Sequence, residues 1–171
     1  HITLKKIETI TLSMFMDCSK LVYIDAPKTI SIEFLAFKNC ISLSNITFPE
    51  VKYIGRGAFI GNEKLKSINL SSVKELDDES FVNCINLIEA NFENCVELKN
   101  SIFKNRIKLE TINFPKVEVL SMEVFRNTSL KKVELNSVIS LKHYFFSLSY
   151  NPGKQFSNCA ELTHVTMKNI T

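Results

Sequence analysis

Apolar residues along this chain recur on a fixed ruler. Phenylalanine stands at Phe15, Phe37, Phe59, Phe81, Phe103 and Phe125, a spacing of 22 residues, and returns after a longer interval at Phe156. With each Phe counted as position 1, leucine fills position 7 at Leu21, Leu43, Leu65, Leu87, Leu109 and Leu162. Leu130 comes one place early because its repeat is one residue short. Position 10 holds Ile24, Ile46, Ile68, Ala90, Ile112, Val133 and Val165, and position 12 holds Ala26, Phe48, Leu70, Phe92, Phe114, Leu135 and Met167. This end of the unit alternates with period two, which predicts a short strand with one buried face. One such strand per repeat predicts a parallel ladder of stacked coils, each burying its face only on its neighbours.

The rest of the unit is as regular. Pro27, Pro49 and Pro115 follow the strand and stop it, since proline brings no donor to a ladder. Further apolar residues at Val51, Val73, Val117 and Val138, and at Ile32, Ile54, Leu76, Leu98, Leu120 and Leu141, are expected to meet the same core from the convex side. The segments entering the marker Phe, such as Gly57-Ala58-Phe59 and Glu79-Ser80-Phe81, read as a helical turn or two. Asp17, Asn39, Gly61, Asn83, Asn105, Asn127 and Asn158, two places after each Phe, all tolerate the left-handed backbone conformation in which short helices end. The fold expected is an α/β solenoid, a right-handed superhelix with a parallel sheet on its concave face and short helices or 3-10 turns and extended segments on its convex side. It is read as a single array over residues 1–171 with about seven repeats. His1-Ile2-Thr3-Leu4 falls in register with Asn45-Ile46-Thr47-Phe48, and Asn169-Ile170-Thr171 stops inside another unit, so a fragment of a longer array is expected.

The consensus L-x-x-I-x-F-P-x-V-x-x-I-x-x-x-A-F-x-N-C resembles the BspA-like, or Treponema pallidum-type, class of leucine-rich repeats. Its clearest copy runs from Phe37-Lys38-Asn39-Cys40 through Phe48-Pro49 to Ile54 and Gly57-Ala58-Phe59. The resemblance covers essentially the whole chain. Ser71, Glu93 and Asn136 depart from it at the proline, Cys95 at the expected valine, and Ala90 thins the core. It implies a non-enzymatic interaction or adhesion module, surface-displayed or secreted, that engages a host protein, matrix component or glycan. An intracellular protein-protein scaffold and a passive spacer within a larger protein stand as alternatives.

Charge and candidate chemistry change little in this picture. Twenty-one Lys+Arg against eighteen Asp+Glu leave a net charge of +3 with the signs mixed, and the basic stripe of a nucleic-acid binder is missing. No apolar run approaches the roughly 18 residues of a membrane-spanning helix. Cys18, Cys40, Cys84 and Cys159 share position 4 with Asn62, Arg106 and Thr128, which reads as small buried thiols, with a bridge between Cys18 and Cys40 as the other option. No C-x-x-C or Cys/His cluster suggests a metal, and no cofactor is expected. Sequons at Asn45, Asn69, Asn127 and Asn169 fit chance in a chain this rich in Asn, Ser and Thr. His1, His143 and His164 are scattered, and Asp77-Asp78-Glu79 reads as a solvated turn, so no catalytic residue is assigned.

The outward strand positions make the candidate binding face. Position 9 carries Tyr23, Asn45, Ser67, Glu89, Thr111, Lys132 and His164, and position 11 carries Asp25, Thr47, Asn69, Asn91, Asn113, Glu134 and Thr166. The Asn/Thr stripe at its centre suits both a hydrogen-bonded surface ladder and direct contact with a polar ligand. The interval between Phe146 and Phe156, with its Asn151-Pro152-Gly153 turn signal, reads as an inserted loop.

Overall fold

The computed structural model describes residues 1–105, 108–141 and 154–169. Each repeat contributes two strands rather than the single strand expected, and numbering in chain order makes the two sets odd and even. The odd strands are β1 (Ile2–Thr3), β3 (Tyr23–Asp25), β5 (Asn45–Thr47), β7 (Ser67–Asn69), β9 (Glu89–Asn91), β11 (Thr111–Asn113), β13 (Lys132–Glu134) and β15 (His164–Thr166). The even strands are β2 (Thr9–Ile10), β4 (Ser31–Ile32), β6 (Tyr53–Ile54), β8 (Glu75–Leu76), β10 (Glu97–Leu98), β12 (Val119–Leu120) and β14 (Ser140–Leu141). All pairings are parallel and in repeat register: Ile2 lies beside Ile24, Ile24 beside Ile46, and Ile32 beside Ile54.

The two ladders differ in continuity. The even strands form one seven-stranded sheet from β2 to β14. The odd strands divide into β1-β3-β5, β7-β9-β11 and β13-β15. The backbone amides of Leu4, Ala26, Leu70, Phe92 and Leu135 each donate to the following coil at 2.8–3.0 Å. The equivalent amides of Phe48 and Phe114, at the two interruptions, make no such bond among the described residues. Ile46 and Ile112, beside the same interruptions, are half-buried, whereas Ile24, Ile68, Ala90 and Val133 are buried.

The expected helices do not form. Among the described residues there is no α-helix, and the one helical element is a 3-10 turn at Lys154–Phe156. Two residues of each lead-in and marker segment from Phe15 to Phe125 are left-handed, and one in that of Phe156. The first sits two places before Phe, at Ser13, Leu35, Gly57, Glu79, Ser101 and Glu123, and the second two places after it, at Asp17, Asn39, Gly61, Asn83, Asn105, Asn127 and Asn158. An α-helix cannot pass through such residues, because each costs an L-amino acid roughly 1–2 kcal/mol and reverses the local winding. Alternate amides find partners in different places. Leu35, Phe37 and Asn39 donate to Arg56, Ala58 and Ile60 of the next coil at 2.7–3.1 Å, while Ala36, Lys38 and Cys40 donate locally, three residues back. These turn segments are thus a third ladder of coil-to-coil bonds, and they account for backbone groups that a helix would have consumed internally.

One continuous core runs from Ile10 to Val138. Its axis is a column of marker rings: Phe15, Phe37, Phe59, Phe81, Phe103, Phe125 and Phe156 follow one another with centroids 5.2–5.9 Å apart and planes within 20°. A second group, Phe48, Phe92 and Phe114, tilts against this column. Position 4 serves the column's backbone. Cys40 Sγ donates to the Phe15 carbonyl at 3.0 Å, Asn62 Nδ2 to Phe37 at 2.8 Å, Cys84 Sγ to Phe59 at 3.1 Å and Cys159 Sγ to Phe125 at 3.0 Å. All five cysteines are thiols. Burial pushes the Cys40 and Cys95 thiols up to about 12, far from the range in which a thiolate reacts.

Candidate binding face

Alternation along the odd strands from β3 to β13 sends position 10 inward and positions 9 and 11 outward, while in β15 Val165 at position 10 is itself exposed. Asn45, Thr47, Ser67, Asn69, Glu89, Thr111, Asn113, Lys132, Glu134 and His164 are exposed, and Tyr23, Asp25, Asn91 and Thr166 are half-buried. Strand pairing brings them together in rows: Tyr23 lies beside Asn45, Ser67 beside Glu89, Glu89 beside Thr111, and Lys132 beside His164. His143 and residues 147–153 of the expected loop lie outside the described residues.

Three local chemistries occupy this face. At the β3 end, the His1 and Tyr23 rings meet edge to face at 5.7 Å, and the Tyr23 hydroxyl reaches Thr47 Oγ1 at 3.5 Å. In the centre, Asn91 Nδ2 donates to Asn69 Oδ1 at 2.9 Å and Asn113 Nδ2 to Asn91 Oδ1 at 2.7 Å. That amide stack belongs to β7, β9 and β11, the middle section of the divided sheet. At the β13 end, Lys132 Nζ pairs with Glu134 Oε1 at 2.7 Å, and that hydrogen bond, with Lys168 nearby, holds the Glu134 carboxyl below its ordinary value.

The interruption between β11 and β13 opens a cleft of about 420 Å³, lined by Ile112, Asn113, Phe114, Pro115, Lys132, Glu134 and Asn136. The periodic pattern does not announce it. Its one trace in the sequence is the residue missing between Phe125 and Leu130.

Other polar groups lie outside this face. A second side-chain stack follows the marker turns, linking Asn39 to Asp17 at 2.9 Å, Asn105 to Asn83 at 3.3 Å, Asn127 to Asn105 at 2.8 Å and Asn158 to Asn127 at 2.9 Å. Gly61, left-handed at φ +72°, interrupts that stack, and a Cβ there would stand 2.7 Å from Asn39 Oδ1. The acidic turn is tied into the even sheet. Tyr53 donates to Asp77 Oδ2 at 3.2 Å, Lys99 pairs with Asp77 Oδ1 at 3.2 Å, and Asp78 accepts from the Asn100 amide at 2.8 Å. Burial works to raise Asp77, but the Asp78 amide, Lys99 and Tyr53 outweigh it and hold the carboxyl below its ordinary value. No group of three or more His, Cys, Asp or Glu residues fit to hold a metal occurs among the described residues.

Two parallel strands per 22-residue coil and a column of marker rings define a repeat type, and comparison with known proteins decides which. A family model described as a BspA type leucine rich repeat region matches in six copies, over residues 30–152 and 98–171. The chain belongs to the BspA-type leucine-rich repeat family. Among solved structures, a leucine rich cell surface protein from Faecalibacterium prausnitzii is 26% identical with a TM-score of 0.74, over 87% of this chain and 39% of that one. This BspA-type chain therefore spans about two fifths of that relative's length. A leucine-rich repeat protein from Bacteroides ovatus (18% identity, TM-score 0.61, 96% of this chain and 63% of that one) shares the fold. So does the leucine-rich repeat protein of T. pallidum (19% identity, TM-score 0.55, 71% and 70%). No curated protein matches this chain. No helix among the described residues is long and apolar enough to cross a membrane.

Proposed function

We propose that this BspA-type array is a non-enzymatic interaction module of a cell-surface protein, and that it binds a host or matrix protein through the outward face of the odd strands. The observation that carries this reading is the polar surface: fourteen outward side chains, in register within each of the three sections of the odd sheet, most of them over one core. Solenoids use such extended surfaces for binding. The cell-surface relative from Faecalibacterium prausnitzii supports the location. Within each section of the odd sheet backbone bonds hold the rows before a partner arrives, which lowers the ordering cost of association.

The test is surface plasmon resonance of the purified array over a panel of immobilised extracellular-matrix proteins. Ser67→Arg, Glu89→Arg and Thr111→Arg together are expected to abolish any binding the native array shows. Glu118→Arg, exposed and outside this face, is expected to leave it intact. Binding that survives the triple substitution overturns the assignment of this face.

A further inference from the structure

The amide stack at the centre of the face has a direction. Asn113 donates to Asn91 and Asn91 donates to Asn69, so the carbonyl oxygen left over is Asn113 Oδ1, at the edge of the cleft. Hydrogen bonds in a chain polarise one another, which strengthens that terminal acceptor. The next residue at the same repeat position is Glu134. A carboxylate has no hydrogen to donate, and this one is already engaged by Lys132 at 2.7 Å. The stack therefore stops with an open acceptor. A second group is open beside it: among the described residues, the Phe114 amide lacks the coil-to-coil bond that its counterparts at Leu70 and Phe92 make.

We infer that the cleft between β11 and β13 receives an Asn or Gln side chain of an extended polypeptide partner, whose carboxamide supplies the missing rung of the stack. This rests on the reading of the face as a protein-binding surface and names a determinant within it. The carboxamide N–H donates to Asn113 Oδ1, and its carbonyl oxygen accepts from the Phe114 amide or the Lys132 ammonium. Methylenes of the ligand side chain lie against Ile112 and Pro115. A Glu side chain has no N–H for Asn113 and brings a second carboxylate to Glu134. An Ala side chain reaches neither group.

The probe is the tripeptide acetyl-Ser-Gln-Ser-N-methylamide, in which the side chain is the one primary carboxamide, titrated into the isotope-labelled array and followed by amide NMR. Saturable shifts are expected at the Asn113 side-chain amide and the Phe114 backbone amide, and not with the Glu or Ala versions of the peptide. Glu134→Asn supplies an internal rung, and it is expected to weaken the glutamine peptide at least tenfold. Asn113→Leu removes the acceptor and does the same. Equal shifts with the Ala peptide, or unchanged affinity in Glu134→Asn, overturn the inference. So do shifts caused by N-acetylglucosamine and not by the glutamine peptide, which make the cleft a carbohydrate site. Loss of partner binding in the Ser67/Glu89/Thr111 variant with no effect of Glu134→Asn sinks the cleft alone. The reverse pattern sinks the wider face.

Discussion

Phe81 shows what a single residue contributes here. It is fully buried, stacked between Phe59 at 5.2 Å and Phe103 at 5.9 Å, with Phe92 tilted against it at 5.7 Å. Phe81→Ala removes a ring from the middle of a column whose neighbours are anchored by their own backbone bonds, so the gap stays open. The expected cost is about 3–5 kcal/mol, read from equilibrium urea unfolding; a loss below about 0.5 kcal/mol, the range of exposed sites, contradicts the packing. The marker residues were legible because burial selects a residue type at a fixed spacing. Position 4 was legible only as a small slot. Cys40, Asn62 and Cys84 differ in polarity and share one task, donating to a backbone carbonyl of the coil before, and a sequence does not display the partner of such a bond.

At the scale of the element, the turn segments are where sequence and structure part. Asn and Asp after the marker Phe signal left-handed backbone, and all six of them, from Asp17 to Asn158, have it. Leu35, Glu79 and Glu123 before the marker carry no such signal, yet they are left-handed too. Local preference favours a helix there, and bonds to the adjacent coil override it. Asn83, exposed at φ 60°, separates the two contributions of such a position. Asn83→Gly removes the side chain that accepts from Asn105 while leaving the backbone relaxed. Asn83→Ala removes the same side chain and adds strain. The alanine variant is expected to be less stable than the glycine variant by roughly 1–2 kcal/mol in paired unfolding curves. Equal stabilities contradict a left-handed residue there.

Across the whole molecule, the 22-residue period made the stacking, the register and the outward rows readable from Phe, Leu and Ile alone. The even strands were visible as apolar positions such as Ile32 and Leu76, but two-residue strands are too short to show a period of their own. The divided odd sheet was hidden for a different reason. Whether Phe114 meets the coil after it depends on how two coils sit against each other, and the strand sequence Thr111-Ile112-Asn113 resembles Ser67-Ile68-Asn69, after which the Leu70 amide does bond the next coil.

The three ladders of coil-to-coil bonds also make this protein a mechanical object. Strand pairing, turn pairing and ring stacking all run along the stacking axis, so tension applied between the two ends of the stack pulls along these bonds, and the outermost coil, held from one side only, yields first. Coils should peel singly instead of failing together. In an optical trap the expected record is a series of small, nearly equal steps, each lengthening the tether by about 70 Å for a coil of 22 residues at roughly 3.3–3.6 Å per residue, less the strand spacing. One abrupt rupture of the whole array would show that force is shared across coils.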